Sequence, residues 1–224
     1  MFELCIQNID DVIIAEKYKK IINRIELNSA IEVGGLTPDI ELLKIAKQKT
    51  TIPIIAMLRV RSGNFIYTDL EFLAMYESAK NLLKYADGLA FGALNEDDTI
   101  DIDKTKIILN LCKEYKKEFV FHRAIDVSKN YLENIKMLDN MGVDRILTSG
   151  HEQNVELGFD NIKNIRTKCE ILLGSGINIK NYSKFMNFNV HGTFSKKVDS
   201  KLFGYYLKLD ENNLKVLYSE KATD

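Results

Sequence analysis

The sequence predicts an α/β protein: a single (β/α)8 barrel of the TIM type, with a shortened or atypical C-terminal end. Three observations carry this. Strand-like and helix-like segments alternate eight times along 224 residues, at about 27 residues per unit, the repeat a compact barrel needs. Most strand segments are short apolar runs without clean polar alternation, as parallel strands covered on both faces are. The first strand runs into Cys5-Ile6-Gln7-Asn8 with no G-x-G-x-x-G, which disfavours the competing doubly wound sheet.

The strands are expected at Phe2–Ile6, Arg24–Asn28, Pro53–Val60, Asp87–Gly92, Glu118–Arg123, Asp144–Ser149, Glu170–Gly174 and Asn189–Phe194. Between them the apolar spacing turns helical. Ile14, Tyr18 and Ile21 make the first face. Thr37-Pro38-Asp39 reads as a capping Thr before a proline in the first turn. Thr68-Asp69-Leu70-Glu71 is a capping box, followed by Phe72, Met75, Ala79 and Leu82 at helical spacing. Ile108, Leu111, Cys112 and Tyr115 mark another helix, and Tyr131, Ile135 and Leu138 the next. After the eighth strand, residues 196–224 show no long helix; Leu214–Glu220 predicts one or two turns. With two prolines and no Gly/Ser-rich linker, residues 1–224 read as one domain.

Composition narrows the function classes. At 46% hydrophobic and 28% charged residues, the chain can build a core, which excludes disorder and a membrane bundle. Lys+Arg 31 against Asp+Glu 32 leaves a net charge of −1, so no global field recruits nucleic acid or an acidic membrane. The longest apolar stretch, Ile52 to Leu58, falls far short of the roughly 20 residues of a membrane helix. Cys5, Cys112 and Cys169 lie far apart with no C-x-x-C, as expected in a reducing cytoplasm. The opening Met1-Phe2-Glu3 is no basic signal region.

Charges on barrel strands are costly and need a partner or a task. Glu3, Glu26, Arg59, Arg61, His122 and Arg123 lie on predicted strands or at their C-terminal ends, the end where such barrels place chemistry. Glu3 shares a face with Cys5, Glu26 with Asn28, and Arg59 with Arg61. Two readings follow: an ion-pair network plugging the barrel, or an anion site in which Arg59 and Arg61 stand free at the mouth. His122 and Asp126 form either a proton-moving pair or a hydrogen-bonded core histidine beside an Arg123–Asp126 pair. Ser149 in Thr148-Ser149-Gly150, and Gly174 and Gly176 in Gly174-Ser175-Gly176, let backbone amides approach a phosphate. Glycine there also serves a sharp turn. Cys5 and His191 lie on the first and eighth strands, neighbours in a closed barrel, and could hold a soft ion such as Cu(I); Cys5 as a small buried hydrophobe is the alternative. His151 reads as a solvated loop residue, and Cys112 and Cys169 as core.

Read in order, Phe2-Glu3-Leu4-Cys5, Arg24-Ile25-Glu26-Leu27, Gly34-Gly35-Leu36-Thr37-Pro38, Arg59-Val60-Arg61 with Gly63 to Tyr67 and Asp69, Phe121-His122-Arg123-Ala124-Ile125-Asp126, Ile146-Leu147-Thr148-Ser149-Gly150 and Val190-His191 resemble the CutC family, named as copper homeostasis proteins. The likeness runs from about Phe2 to Ser195. It implies a cytoplasmic (β/α)8 barrel that self-associates, with a role in Cu(I) handling and no assigned reaction. Family members often carry a cysteine after Ile-Glu-Leu, which is invoked with the first-strand cysteine as a copper pair; here Asn28 stands there and Cys5 alone is present. The usual Arg-Pro-Arg is Arg59-Val60-Arg61.

Three functions follow as expectations. The first is copper homeostasis with Cu(I) at Cys5 and His191. The second is an enzyme for a small phosphate- or carboxylate-bearing substrate held by Arg59, Arg61, Arg123, Ser149, Gly174 and Gly176, with Glu26, His122 and Asp126 moving protons. The third is a scaffold whose inner charges are structural. The partners expected are a small anion or a metal ion and further copies of the chain, not nucleic acid or a membrane.

Overall fold

Eight parallel strands close into a barrel in chain order: β1 (Phe2–Ile6), β2 (Arg24–Leu27), β3 (Ile54–Met57), β4 (Gly88–Phe91), β5 (Glu118–Phe121), β6 (Arg145–Thr148), β7 (Glu170–Leu173) and β8 (Asn189–Gly192). The closing pair sets Phe2 opposite Val190 and Glu3 opposite His191. This is a computed structural model, and it describes residues 1–202 and 204–221. Seven helices fill the connections: α1 (Ile9–Lys17), α2 (Ile40–Lys49), α3 (Asp69–Leu82), α4 (Ile102–Glu114), α5 (Tyr131–Met141), α6 (Val155–Ile162) and the single turn α7 (Tyr182–Phe185).

Strand alternation sorts the core into two. One set, including Phe2, Leu4, Ile25, Leu27, Ile54, Leu89, Phe91 and Phe119, packs between strands and helices. Each such side chain contributes roughly 1.5–3 kcal/mol by leaving water. The other set, Ile55, Met57, Ala90, Val120, Leu147 and Leu172, fills the barrel's interior. Below that apolar plug lies a chain of ion pairs. Arg24 reaches Glu3 and, at 3.3 Å, Glu170; Arg145 reaches Glu170 at 3.1 Å and Glu118 at 3.0 Å. Above it, at the C-terminal ends of the strands, the interior is polar.

The structure revises several local expectations. The strands after β1 are shorter than expected: Arg59 and Arg61 lie beyond β3, and Arg123 opens a 3-10 turn over Arg123–Val127 with His122 as its cap. The cap of α2 is Asp39, which accepts from the N–H groups of Glu41 and Leu42. Thr37 instead joins β3's exit, its hydroxyl donating to the Arg59 carbonyl and accepting from the Arg59 N–H. The Thr68–Glu71 capping box is present on α3.

The tail differs most. Ser195–Asp199 (β9) and Tyr205–Leu209 (β10) form an antiparallel hairpin, and α8 (Glu211–Lys221) follows. β10 is tied to the loops after β1 and β2. The Leu207 carbonyl accepts from Gln7 (3.0 Å) and Asn8 (3.1 Å), and its N–H donates to Glu32 (2.5 Å). Leu209, Leu214 and Leu217 are buried beneath. Phe203 and residues 222–224 of the expected irregular tail lie outside the described residues. Among the described residues no helix is long and apolar enough to cross a membrane.

Candidate functional site

A cavity of about 320 Å³ opens at the C-terminal ends of the strands. Its floor is Met57 and Leu147 from the apolar plug. Its walls are Cys5, Glu26, Asn28, Arg59, Phe65, His122, Arg123 and His191, with Ser175–Ile177 after β7 and Gly192–Thr193 after β8.

On the β1–β2–β8 side, buried polar groups form one cluster. Asn28 donates to the Glu26 carboxyl at 3.0 Å and to the Cys5 sulfur at 3.3 Å, and Cys5 lies 3.7 Å from the same carboxyl oxygen. His191 Nδ1 is 2.7 Å from Glu3, which leaves Nε2 turned toward Glu26 at 3.9 Å. Cys5, Glu26 and His191 each offer a metal-ligating atom, all within 4.8 Å of one another. Burial works against a charged Glu3, but the His191 hydrogen bond and the Arg24 charge prevail and hold its pKa at about 2. Burial raises Glu26, and the Glu3 charge adds to this. Burial also pushes the Cys5 thiol up to about 11. His191 keeps its proton well above the usual imidazole range: burial opposes the charge, yet Glu26, Cys5 and Glu3 outweigh it.

Across the cavity stands His122. Its Nδ1 accepts from the Ala124 N–H at 3.2 Å, so in the neutral ring the proton sits on Nε2. Burial, then the Arg59 charge, depress its pKa to about 3, so the ring is neutral at ordinary pH. Phe65 packs on it with centroids 4.9 Å apart, and the Arg59 guanidinium lies 4.9 Å from the Phe65 centroid. Neither His122 Nε2 nor Glu26 Oε2 has a hydrogen-bond partner among the described residues, although both are buried.

Of the residues expected from sequence, the cavity brings together Cys5, Glu26, Arg59, His122, Arg123, Gly176 and His191. It does not include Arg61, whose guanidinium turns away to Glu71 (2.5 Å) and the Ile66 carbonyl (2.6 Å). Arg59 does not stand free beside it. Its Nη atoms donate to the carbonyls of Val33 (3.1 Å), Gly35 (3.2 Å) and Gly63 (2.7 Å). Asp126 is not placed to orient His122. It accepts from the Thr148 hydroxyl, the N–H groups of Ser149 and His151, the Ser149 hydroxyl and Arg123. Asp126 and Ser149 therefore fix the loop after β6, and Arg123 reaches the rim from them, with its Nη2 on the Ser149 hydroxyl at 3.0 Å. Gly174 packs against Leu147 instead of offering its amide to the cavity: that amide donates to the Thr148 carbonyl at 2.9 Å.

Sequence reasoning missed Phe65 and the floor ions Arg24, Glu118, Arg145 and Glu170. Phe65 was signalled only by lying in the Gly63–Tyr67 stretch after β3. The four ions stand at the first position of their strands, where a polar residue resembles the end of a loop.

The class is thus a parallel eight-stranded barrel with a buried polar cavity at the C-terminal ends of its strands. The chain belongs to the CutC family, whose sequence profile matches residues 1–196. A CutC family protein of Treponema denticola is 40% identical over 189 residues, covering 82% of this chain and 75% of that protein. The copper homeostasis protein cutC homolog of Homo sapiens is 31% identical over 191 residues, covering 83% and 68%. A crystal structure of CutC from Streptococcus agalactiae superposes with a TM-score of 0.74 at 30% identity, covering 86% of this chain and 98% of that one. Phosphonopyruvate hydrolase, at a TM-score of 0.61 and 11% identity, covering 85% and 74%, shares the fold alone.

Proposed function

We propose that the cavity is the active site of an enzyme that acts on a small anionic substrate by proton transfer. One observation carries this: Glu26 and His122 line the same cavity, and each keeps a buried polar atom, Oε2 and Nε2, without a partner among the described residues. A buried polar atom left unpaired is destabilising by roughly 1–3 kcal/mol, a cost that a bound substrate oxygen removes. Glu26, whose burial favours its protonated form, is placed to exchange a proton with a bound substrate. Neutral His122 donates from Nε2 to a substrate oxygen, a role that a charged ring would fill less selectively. Arg123 at the rim supplies the countercharge.

The test begins with a thermal-shift screen of sugar phosphates and small carboxylic acids, since a ligand of the folded state raises Tm. The compound found is then offered to Glu26→Gln. The amide keeps the shape but carries no exchangeable acid, so binding is expected to persist and turnover to fall by about 100-fold or more. Unchanged turnover in Glu26→Gln would overturn the reading.

A second reading, Cu(I) as cargo, is favoured by the Cys5–Glu26–His191 cluster. The donor chemistry fits in part. The Cys5 sulfur and His191 Nε2 suit a soft ion, whereas Glu26 is a hard donor and Asn28 supplies no second sulfur. Loading must displace the thiol proton of Cys5 and the proton on His191 Nε2. Titration of the reduced protein with Cu(I) against a competing chelator should show Cys5→Ser about tenfold or more weaker than wild type. Equal affinities remove copper from this site.

A further inference from the structure

In the loop after β7, Ser175 and Gly176 are held by their carbonyls. The Ser175 carbonyl accepts from the Val155 N–H at 3.0 Å, and the Gly176 carbonyl accepts from the side chains of Asn178 (2.8 Å) and Asn181 (2.9 Å). Ser175 and Gly176 both have positive φ, 71° and 83°, which turns successive N–H groups in an unusual direction. The N–H groups of Ser175, Gly176 and Ile177 meet no acceptor among the described residues, and all three residues line the cavity. Arg123 lines it too, and with Nε and Nη2 held by Asp126 and Ser149 its Nη1 has no acceptor among the described residues. His122 and Glu26, whose Nε2 and Oε2 are buried without partners among the described residues, line the same cavity.

We infer that the cavity takes a small phosphate monoester. The phosphate oxygens lie on the backbone amides of Ser175, Gly176 and Ile177 with Arg123 beside them, and the oxygen-bearing end lies against His122 Nε2 and Glu26. The donor count selects the head group. Three consecutive amides and a guanidinium N–H exceed what the two oxygens of a carboxylate use, and they match the three terminal oxygens and higher charge of a phosphate. The inference rests on the catalytic reading for the orientation of the substrate, not for the phosphate cradle itself.

The experiment titrates inorganic phosphate, and acetate at matched ionic strength, into wild type, Gly176→Asp and Gly176→Asn. Aspartate and asparagine both tolerate positive φ, and either Cβ would meet the Asn154 Cβ at 3.0 Å, so that strain is common to the pair and the charge is what differs. Phosphate is expected to bind Gly176→Asp about tenfold or more weakly than Gly176→Asn, with acetate weaker than phosphate throughout. In wild type, amide NMR resonances of residues 175–177 should move with the phosphate titration, a readout that depends on no variant. Phosphate that binds Gly176→Asp as tightly as Gly176→Asn, acetate that binds as well as phosphate, or resonances of residues 175–177 that stay still would overturn the cradle. Glu26→Gln separates the two ideas: it should bind phosphate normally, so a failed cradle leaves the catalytic reading to its own turnover test.

Discussion

Arg59 shows how one side chain can serve the wall of a site and the loops around it. Its guanidinium ties the carbonyls of Val33, Gly35 and Gly63 and packs on Phe65, and its charge helps keep His122 neutral. Truncation releases three charge-assisted hydrogen bonds from a buried position. Arg59→Ala is therefore expected to lose roughly 2–4 kcal/mol, read as a lower denaturant midpoint. This reverses the expectation from sequence, in which the arginine stood unpaired and crowded by Arg61. Sequence showed that a charge lay at the mouth of the barrel, brought Glu26 and His122 forward on the same ground, and brought His191 forward as the neighbour of Cys5 in a closed barrel. It could not show which charges were already satisfied. Arg61 and Asp126 find their partners in Glu71 and in the loop after β6, and both contacts depend on loop paths that no spacing rule gives. A wild-type midpoint in Arg59→Ala would show that the loops hold their shape without it.

At the scale of elements, the barrel was legible because buried parallel strands are written as apolar runs, and the capping box of α3 because it is a local motif. The tail was not. β9 and β10 carry Lys196, Lys197, Tyr205 and Tyr206 on partly or fully exposed positions, so no apolar alternation announces a hairpin. α8 shows few buried positions, Leu214 and Leu217 among them. Nor could sequence show why α6 sits where it does. A Cβ on Gly158 would lie 1.9 Å from the Ser149 carbonyl oxygen and 2.9 Å from Gly150 Cα, so the helix meets backbone, not a yielding side chain. Gly158→Ala is expected to push α6 off the β6 loop, with a loss of about 3 kcal/mol or more. Because Ser149 anchors Arg123, ligand affinity should fall with stability. Unchanged melting and unchanged binding would mean that the helix shifts freely.

At the scale of the molecule, the barrel encloses groups whose protons are sorted against their free tendencies, and this sets its response to pH. His122 is depressed to about 3 from 6.5 and Glu3 to about 2 from 4.5. In each case the unfolded chain binds the proton first on acidification, so stability present at neutral pH is lost between about 6.5 and 3 for His122 and between about 4.5 and 2 for Glu3. His191 and Glu26 act in the opposite sense. Both are raised, so their contributions are full below the unfolded values and fade as pH climbs through the folded ones. Stability should therefore peak between these flanks and fall on both sides. His122 isolates one term. Arg59 and Arg123 bring the charges that disfavour its proton, and the titration disappears in His122→Asn, which leaves the floor ion pairs untouched. Urea melts from pH 7 down to pH 4 should fall steeply in wild type and less steeply in His122→Asn, whatever the variant's absolute stability. Parallel slopes would mean that His122 takes up its proton as readily folded as unfolded, so that burial and the Arg59 charge do not keep the ring neutral.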